Sequence, residues 1–215
     1  MRLRFSVVIL ILISFLNIGA FSESTGSSVS FNQLESKCLN MSEFIENGVK
    51  VQYKIKKDKE TEEERIRDYF LKCSLNTNSS NNSRFYNDKV SVKTNLWKDS
   101  LYTYVNVTLI NQDIHYMTLK LQNIIKNLMD KDSEEIQFFS YYKGKVDEAG
   151  QINSKKILDE IMSESKINEA DILEVYNGYV GNTVIKNNEK LNFAISNYDT
   201  GTYIIIATPI IFAAY

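Results

Sequence analysis

The residues most able to carry out chemistry in this sequence are one histidine and two cysteines. His115 is the only histidine; it lies in the middle of NQDIHYMTLK, with no second histidine for zinc and no adjacent partner for general-base catalysis. A nucleophilic Cys38 would need His115 close by, and the predicted helical position of Cys38 gives no support for this. We therefore predict no catalytic residue and no enzymatic activity.

Two acidic segments are candidates for a cation site. The segment KETEEE, beginning at Lys59, is typical of a helix N-terminus, where glutamates interact favourably with the helix dipole. The segment DKDSEE, residues 130–135, resembles half of a calcium-binding loop but lacks the glycine and the distant glutamate of a full loop. We interpret it as a solvated turn, and we predict no metal site and no cofactor.

Cys38 and Cys73 leave two structural alternatives open. In an oxidising compartment they could form one disulfide across a loop of roughly 34 residues, worth about 3 to 4 kcal/mol in the chain-entropy model. They could equally be two buried free thiols. Neither alternative implies catalysis.

The first 20 residues predict export. MRLRFSVVILILISFLNIGA begins with Arg2 and Arg4, continues as an apolar run and ends in small residues, which is the order of a secretory signal peptide. The apolar run is shorter than the roughly 20 residues of a spanning helix. An uncleaved anchor and a buried N-terminal helix are the alternatives. We predict an extracytoplasmic protein, secreted or in the cell envelope, with membrane contact only through this segment if it is not cleaved.

Composition predicts one globular domain after the signal. The chain has 215 residues, of which 43% are hydrophobic and 24% charged, enough for one good-sized core. We assign residues 21–30 to a polar connector and residues 31–215 to a single domain. The formal net charge is −2; without a general excess of basic residues to attract phosphate backbones, we expect no nucleic-acid partner.

Hydrophobic periodicity predicts the elements of the first half. A capping box of Ser30 and Gln33 starts a helix from Phe31 to Leu39, and VKVQYKIK, residues 49–56, alternates as a strand with one buried face. A second capping box, Thr61 with Glu64, precedes another amphipathic helix. The remaining elements are strands at about Lys89–Lys98, Leu101–Ile110 and Asp113–Leu121, and a helix over residues 122–131.

The second half repeats this order. We predict a strand over Ile136–Tyr142, a helix in INSKKILDEIMSESK, and strands at about 171–179, 190–197 and 202–208. The last strand is rich in β-branched residues, and Pro209 ends it because proline cannot donate to a sheet ladder. Each half, about 45–121 and 134–211, therefore reads as strand, helix, strand, strand, strand.

The C-terminal segment LNFAISNYDTGTYIIIATPIIFAAY resembles the C-terminal signature of the YwmB family of Gram-positive bacteria. Two positions depart from that signature: Ala207, where glycine is often expected, and Ala214, where glutamate is. The family resemblance implies an α+β fold similar to the TATA-box-binding protein, with two β-α-β-β-β pseudo-repeats forming one curved antiparallel sheet and helices on one face. The residues that match the signature are Thr208, Pro209, Ile210, Ile211 and Tyr215.

If helices cover one face of the sheet, the opposite face displays polar and aromatic side chains. Tyrosines beside small hydrogen-bonding groups suit binding of a polymer or a protein, although these residue types are also favoured on a solvated sheet for packing alone. We predict a non-catalytic binding module whose partner is an envelope protein or a wall polymer. The alternative is an exported hydrolase or wall-modifying enzyme of unrecognised type. The candidate binding residues are Tyr102, Tyr104, Asn106, Thr108, Tyr116 and Thr118.

Overall fold

Strands from both halves of the chain form one antiparallel sheet. The computed structural model describes residues 29–73, 84–86, 89–146 and 154–212; the predicted signal peptide and most of the predicted connector lie outside these ranges. Within these ranges there are four α-helices: α1 (Phe31–Met41), α2 (Lys59–Lys72), α3 (Thr118–Leu128) and α4 (Ser154–Glu164). The described residues also form nine strands: β1 (Glu43–Ile55), β2 (Arg84–Tyr86), β3 (Val90–Lys98), β4 (Thr103–Asn111), β5 (Glu134–Val146), β6 (Asp171–Val175), β7 (Gly178–Ile185), β8 (Glu189–Tyr198) and β9 (Gly201–Thr208). The protein is therefore α+β.

The strand order is β2-β3-β4-β1-β5-β9-β8-β7-β6, and every neighbouring pair is antiparallel. The long strands β1 and β5 pair with each other at the centre. β1 pairs on its other side with β4, and β5 with β9. The first half of the chain thus builds one side of the sheet and the second half builds the other.

All four helices pack against one face of this sheet, which we call the helix face. Alternate residues of β1, including Val49 and Val51, share a buried apolar cluster with Ile66 of α2 and Leu121 of α3. A second cluster joins α1 and α4 to strands β5, β7, β8 and β9. The two clusters lie on the same face because Val49 of the first pairs with Ser140, two residues from Tyr142 of the second. We call the opposite face of β3, β4, β1 and β5 the open face.

The predicted strand over Asp113–Leu121 is wrong. The backbone turns after β4, where the Asn111 side chain accepts the N–H of Asp113 at 3.0 Å and donates to the carbonyl of Tyr116 at 3.0 Å. Helix α3 then begins at Thr118 and buries Leu121, with Ile125 and Leu128 at helical spacing. An asparagine that closes a turn competes with continuation of the sheet, and the apolar spacing of the following residues favours a helix.

Other boundaries also differ from prediction: β1 begins at Glu43 rather than at residue 49, and β5 extends to Val146 rather than ending at Tyr142. Helix α2 begins at Lys59 after Asp58, rather than at the Thr61 capping box. The strand predicted over 171–179 is two strands, β6 and β7, that reverse direction at residues 176–177. Gly178 follows this reversal with φ +150°, and a Cβ there would lie 1.9 Å from the carbonyl oxygen of Ile195, so the position requires glycine.

The C-terminal strand was predicted correctly. β9 ends at Thr208, and its residues from Ile204 to Ala207 are all buried. Pro209 follows through a cis peptide bond.

Across the described ranges, no helix combines the length and apolar character needed to cross a bilayer.

Candidate binding surface

Four of the six predicted binding residues come together on the open face. Tyr104, Asn106 and Thr108 alternate along β4 with residues buried on the helix face, and each is partly exposed. Tyr102 lies just before β4, and the ammonium of Lys54 is 4.6 Å from its ring centre. The alternation of residues along β4 therefore predicted correctly which face of the sheet carries these side chains.

Tyr116 and Thr118 lie elsewhere, because the strand predicted to carry them is a turn followed by a helix. The Tyr116 carbonyl accepts from Asn47 in the interior of the protein, at 2.9 Å. Thr118 is the first residue of α3 and is fully buried, and its hydroxyl donates to Glu35 at 2.6 Å. Neither residue belongs to the open face.

The centre of the open face carries six polar side chains, which we call the polar cluster. The register of β3, β4 and β1 aligns them in two rows of three, with Asn106 in the middle of one row and Thr108 in the middle of the other. Neighbouring strands are about 4.8 Å apart, so adjacent members of a row are within contact distance of one bound group. The six residues are Asn95, Asn106 and Gln52 in the first row and Lys93, Thr108 and Lys50 in the second.

The polar cluster has unused hydrogen-bonding capacity. Within the described ranges, none of its six side chains makes a hydrogen bond or an ion pair with another residue. The Oδ1 atom of Asn106 is buried and has no partner. Most buried polar side-chain atoms in folded proteins do have a partner, so the three amides, the hydroxyl and the two amines are available to a ligand.

Lys50 and Lys93 are the two cations of the cluster. Lys50 lies against aromatic rings, with its ammonium 4.8 Å from the centre of Phe139 and 5.9 Å from that of Phe212. Partial burial lowers the pKa of Lys50. Lys54, the next lysine on this face of β1, is instead paired with Glu135 at 2.5 Å. Neither Lys50 nor Lys93 forms an ion pair with a carboxylate in the described ranges, so the positive charge of the cluster is not compensated there.

A stacked pair of aromatic residues borders the cluster. The rings of Trp97 and Tyr104 lie 5.5 Å apart at an interplanar angle of 6°. The Tyr104 hydroxyl donates to Asp99 at 3.0 Å, and this hydrogen bond raises the pKa of Tyr104. Trp97 is 51% exposed, so one large aromatic surface remains accessible beside the polar groups.

The other candidate residues form no site with this cluster. Cys38 and Cys73 are free thiols, one buried and one exposed, so the disulfide is not formed, and the alternative of two buried thiols holds only for Cys38. The reason is that Cys38 belongs to the core cluster of α1, whereas Cys73 follows α2, which packs in the other cluster. His115 is exposed in the turn before α3. In the described part of the chain, no three His, Cys, Asp or Glu residues are grouped to hold a metal ion.

The residues that resemble the YwmB signature have structural contacts. The Thr208 hydroxyl is buried and donates to Glu189 at 2.8 Å. Pro209 follows directly, and its carbonyl accepts from Asn192. Ile210 is 40% exposed and Ile211 is partly buried, whereas Tyr215 lies outside the described residues. These contacts fasten the chain after β9 to β8.

Sequence reasoning missed most of the polar cluster and Trp97. The alternation of VKVQYKIK already puts Lys50 and Gln52 on the face opposite Val49 and Val51. The missing information was the register, because only the pairing of β1 with β4 brings these residues beside Asn106 and Thr108.

No family model matches the chain, and the comparison with curated proteins found no match. The resemblance to the YwmB family therefore stays a prediction that rests on the C-terminal residues.

Proposed function

We propose that this protein is a non-catalytic binding module that captures its partner on the open face of the sheet. The observation that carries the proposal is the polar cluster around Asn106, beside an exposed tryptophan. Its amides, hydroxyl and amines make no hydrogen bond or ion pair with another described residue. Amphipathic aromatics next to unused hydrogen-bonding groups are the composition of recognition surfaces.

The position of the helices supports the choice of this face. α1, α2, α3 and α4 all bury the other face in the two apolar clusters. On the open face, Lys50, Gln52, Asn106 and Thr108 are only partly buried. A partner can therefore reach β3, β4 and β1 without displacing any of the described helices. On β5, Phe139 and Tyr141 are buried, and Phe212 packs against both rings.

The proposed location is the cell envelope or the exterior. Its basis is the basic, apolar and small-residue order of the first 20 residues. The proposed partner class is an envelope protein or a wall polymer. The same location disfavours a chromosomal DNA partner, whatever the shape of the sheet.

We also propose that the fold is a pair of pseudo-repeats related to the TATA-box-binding protein and the YwmB family. In each half the first strand is followed by a helix and pairs with the last strand: β1 with β4, and β5 with β9. The first strands of the two halves pair at the centre. The second half has four strands after its helix instead of three, which is one more than the proposed repeat requires.

The test is site-specific photo-crosslinking in the organism that makes the protein. A photo-reactive residue replaces the exposed Asn95 in the polar cluster, and the control replaces the exposed Asp68 on α2. The proposal expects a crosslinked partner from position 95 and none from position 68. Capture only from position 68, or from neither position, would reject the open face as the binding surface.

A further inference from the structure

We propose that the polar cluster binds the phosphate groups of a polyol-phosphate or sugar-phosphate polymer. This inference rests on the proposed function, because it names the ligand class of the same open face. The first observation is the positive charge of the cluster, which is complementary to an anionic ligand. Lys50 and Lys93 carry positive charge that no carboxylate in the described ranges compensates, and an anionic ligand would supply the missing partner.

The geometry of the cluster suits a single anionic group held between the two lysines. Thr108 on β4 is paired with Lys93 of β3 on one side and with Lys50 of β1 on the other. The strands β3 and β1 are therefore about 10 Å apart. The Lys50 ammonium lies over the Phe139 ring, on the β5 side of β1, and the flexible four-carbon stem of lysine lets it turn towards a group bound above Thr108. Lys93 can reach the same group from the other side. The Thr108 hydroxyl and the side-chain N–H groups of Asn106 and Gln52 then donate to its oxygens, whereas the unpartnered Oδ1 atom of Asn106 can accept only from a hydroxyl of the polymer.

Phosphate fits this set of donors better than carboxylate does. Planar, bidentate recognition of a carboxylate favours the arginine fork, whereas lysine acts on phosphate as a point charge. The polar cluster contains two lysines and no arginine. A tetrahedral group with several oxygens can accept from the hydroxyl, the amides and both amines at once.

A polymer of phosphate and polyol or sugar units uses the rest of the surface. The amides of Asn95 and Gln52 flank Asn106 in the same row and can bond the hydroxyls between successive phosphates. Trp97 and Tyr104 stack on each other with nearly parallel rings, and the exposed part of Trp97 can pack against the carbon skeleton of the unit that follows the phosphate.

The experiment measures binding of defined polymers to the full mature chain by calorimetry. The probes are poly(glycerol phosphate), neutral dextran, polygalacturonate as a carboxylate polymer, and oligo(dT). The test variant is the Lys50→Gln and Lys93→Gln double substitution. The control is the Lys126→Gln and Lys131→Gln double substitution, which removes the same charge from exposed positions in and beside α3. Thermal unfolding checks that both variants fold.

We expect poly(glycerol phosphate) to bind and the other three probes to bind at least tenfold more weakly. The Lys50 and Lys93 double variant should lose about tenfold in affinity or more, with a smaller dependence of log K on log salt, because both lysine contacts to the bound phosphate are lost. The control variant should bind as the unmodified protein does. Equal binding of polygalacturonate or oligo(dT), or no effect of the double substitution, would overturn the inference.

The two proposals fail in different ways. If position 95 captures a partner but poly(glycerol phosphate) does not bind, the open face is the binding surface and the phosphate inference is wrong. If poly(glycerol phosphate) does not bind and position 95 captures nothing, both proposals are wrong.

Discussion

The carboxylate of Glu35 on α1 caps the N-terminus of α3 at Thr118, although the two residues are 83 positions apart in sequence. It accepts the backbone N–H of Thr118 at 3.1 Å and the Thr118 hydroxyl at 2.6 Å. The residue that precedes α3, Met117, provides no side-chain cap of its own. A carboxylate at this end also interacts favourably with the helix dipole. Glu35 therefore replaces a local cap and ties α3 to α1.

Glu35 makes the stability of the protein depend on pH. Burial raises the pKa of Glu35 above its ordinary value of 4.5, and the hydrogen bonds from Thr118 and Asn47 only partly oppose this. The folded state thus holds a proton more strongly than the unfolded state. The contribution of Glu35 to stability is complete below pH 4.5 and is lost as pH rises through the raised pKa. We expect the free energy of unfolding in urea to fall over this range and the fall to be smaller in the Glu35→Gln variant.

Asp99→Asn is the matched control for the Glu35 experiment. Backbone hydrogen bonds from Tyr102 and Leu101 lower the pKa of Asp99 below 3.8. Its contribution to stability is therefore present above pH 3.8 and is lost only below it. The control should keep the slope of the unmodified protein above pH 4.5. An unchanged slope in Glu35→Gln would show that Glu35 is not the group that titrates.

A buried ion pair on α2 predicts a large effect of one arginine. The fully buried Glu62 accepts from Arg65 at 2.6 Å and from the Tyr53 hydroxyl at 2.6 Å. Arg65→Met leaves this carboxylate without its cation. The Arg65 side chain is 28% exposed, so we expect a loss of about 3 kcal/mol, the low end for a broken buried pair. Chemical denaturation would measure it.

The same helix offers a surface pair as the control. Arg67 and Glu64 have the same three-residue spacing and are 3.5 Å apart, but both are more than half exposed. We expect Arg67→Met to cost less than about 1 kcal/mol. Equal losses in the two variants would contradict the assignment of Glu62 and Arg65 as the buried pair.

Local patterns in the sequence were enough to predict most of the elements. The Ser30 and Gln33 capping box is formed as predicted at the start of α1. The strict alternation around Val105 and Val107 gave β4 and its two faces correctly. In both cases the deciding contacts are made within a few residues or by one periodic face, so the sequence alone carries the information.

The errors occurred where distant residues decide the structure. The first turn of α3 was predicted as part of a strand. Its N-terminus is capped by Glu35, 83 residues earlier, and a search for a capping residue close in sequence cannot identify it. The candidate site was incomplete for the same reason. Lys93 and Lys50 face Thr108 only through the register of three strands, and their spacing in sequence does not reveal that register.

The two cysteines predict different reactivities in the folded protein. Burial raises the pKa of Cys38 to about 12, whereas Cys73 is exposed at the end of α2. Because the thiolate is the reactive form, Ellman's reagent should titrate one thiol in the native, unreduced protein and two after unfolding in urea. The Cys73→Ser variant should show none in the native state. Finding no thiol in the unfolded, unreduced protein would demonstrate the disulfide.

Gly48 tests the packing next to the polar cluster, two residues before Lys50 on the open face. A Cβ at Gly48 would lie 2.4 Å from the ring of Tyr141 and 2.7 Å from the carbonyl oxygen of Leu109. Tyr141 is fully buried and its hydroxyl donates to Glu46 at 3.0 Å, so the ring cannot move freely. We expect Gly48→Ala to lower the free energy of unfolding by about 1 to 3 kcal/mol.

A double-mutant cycle identifies the cause of the Gly48→Ala effect. If the ring contact dominates, Gly48→Ala should cost less in a Tyr141→Leu background than in the unmodified protein. Some cost should remain, because the Leu109 oxygen belongs to the backbone of β4 and stays in place. Equal costs in the two backgrounds would assign the whole effect to that backbone contact. A Gly48→Ala variant as stable as the unmodified protein would mean that the Tyr141 ring does not lie over Gly48.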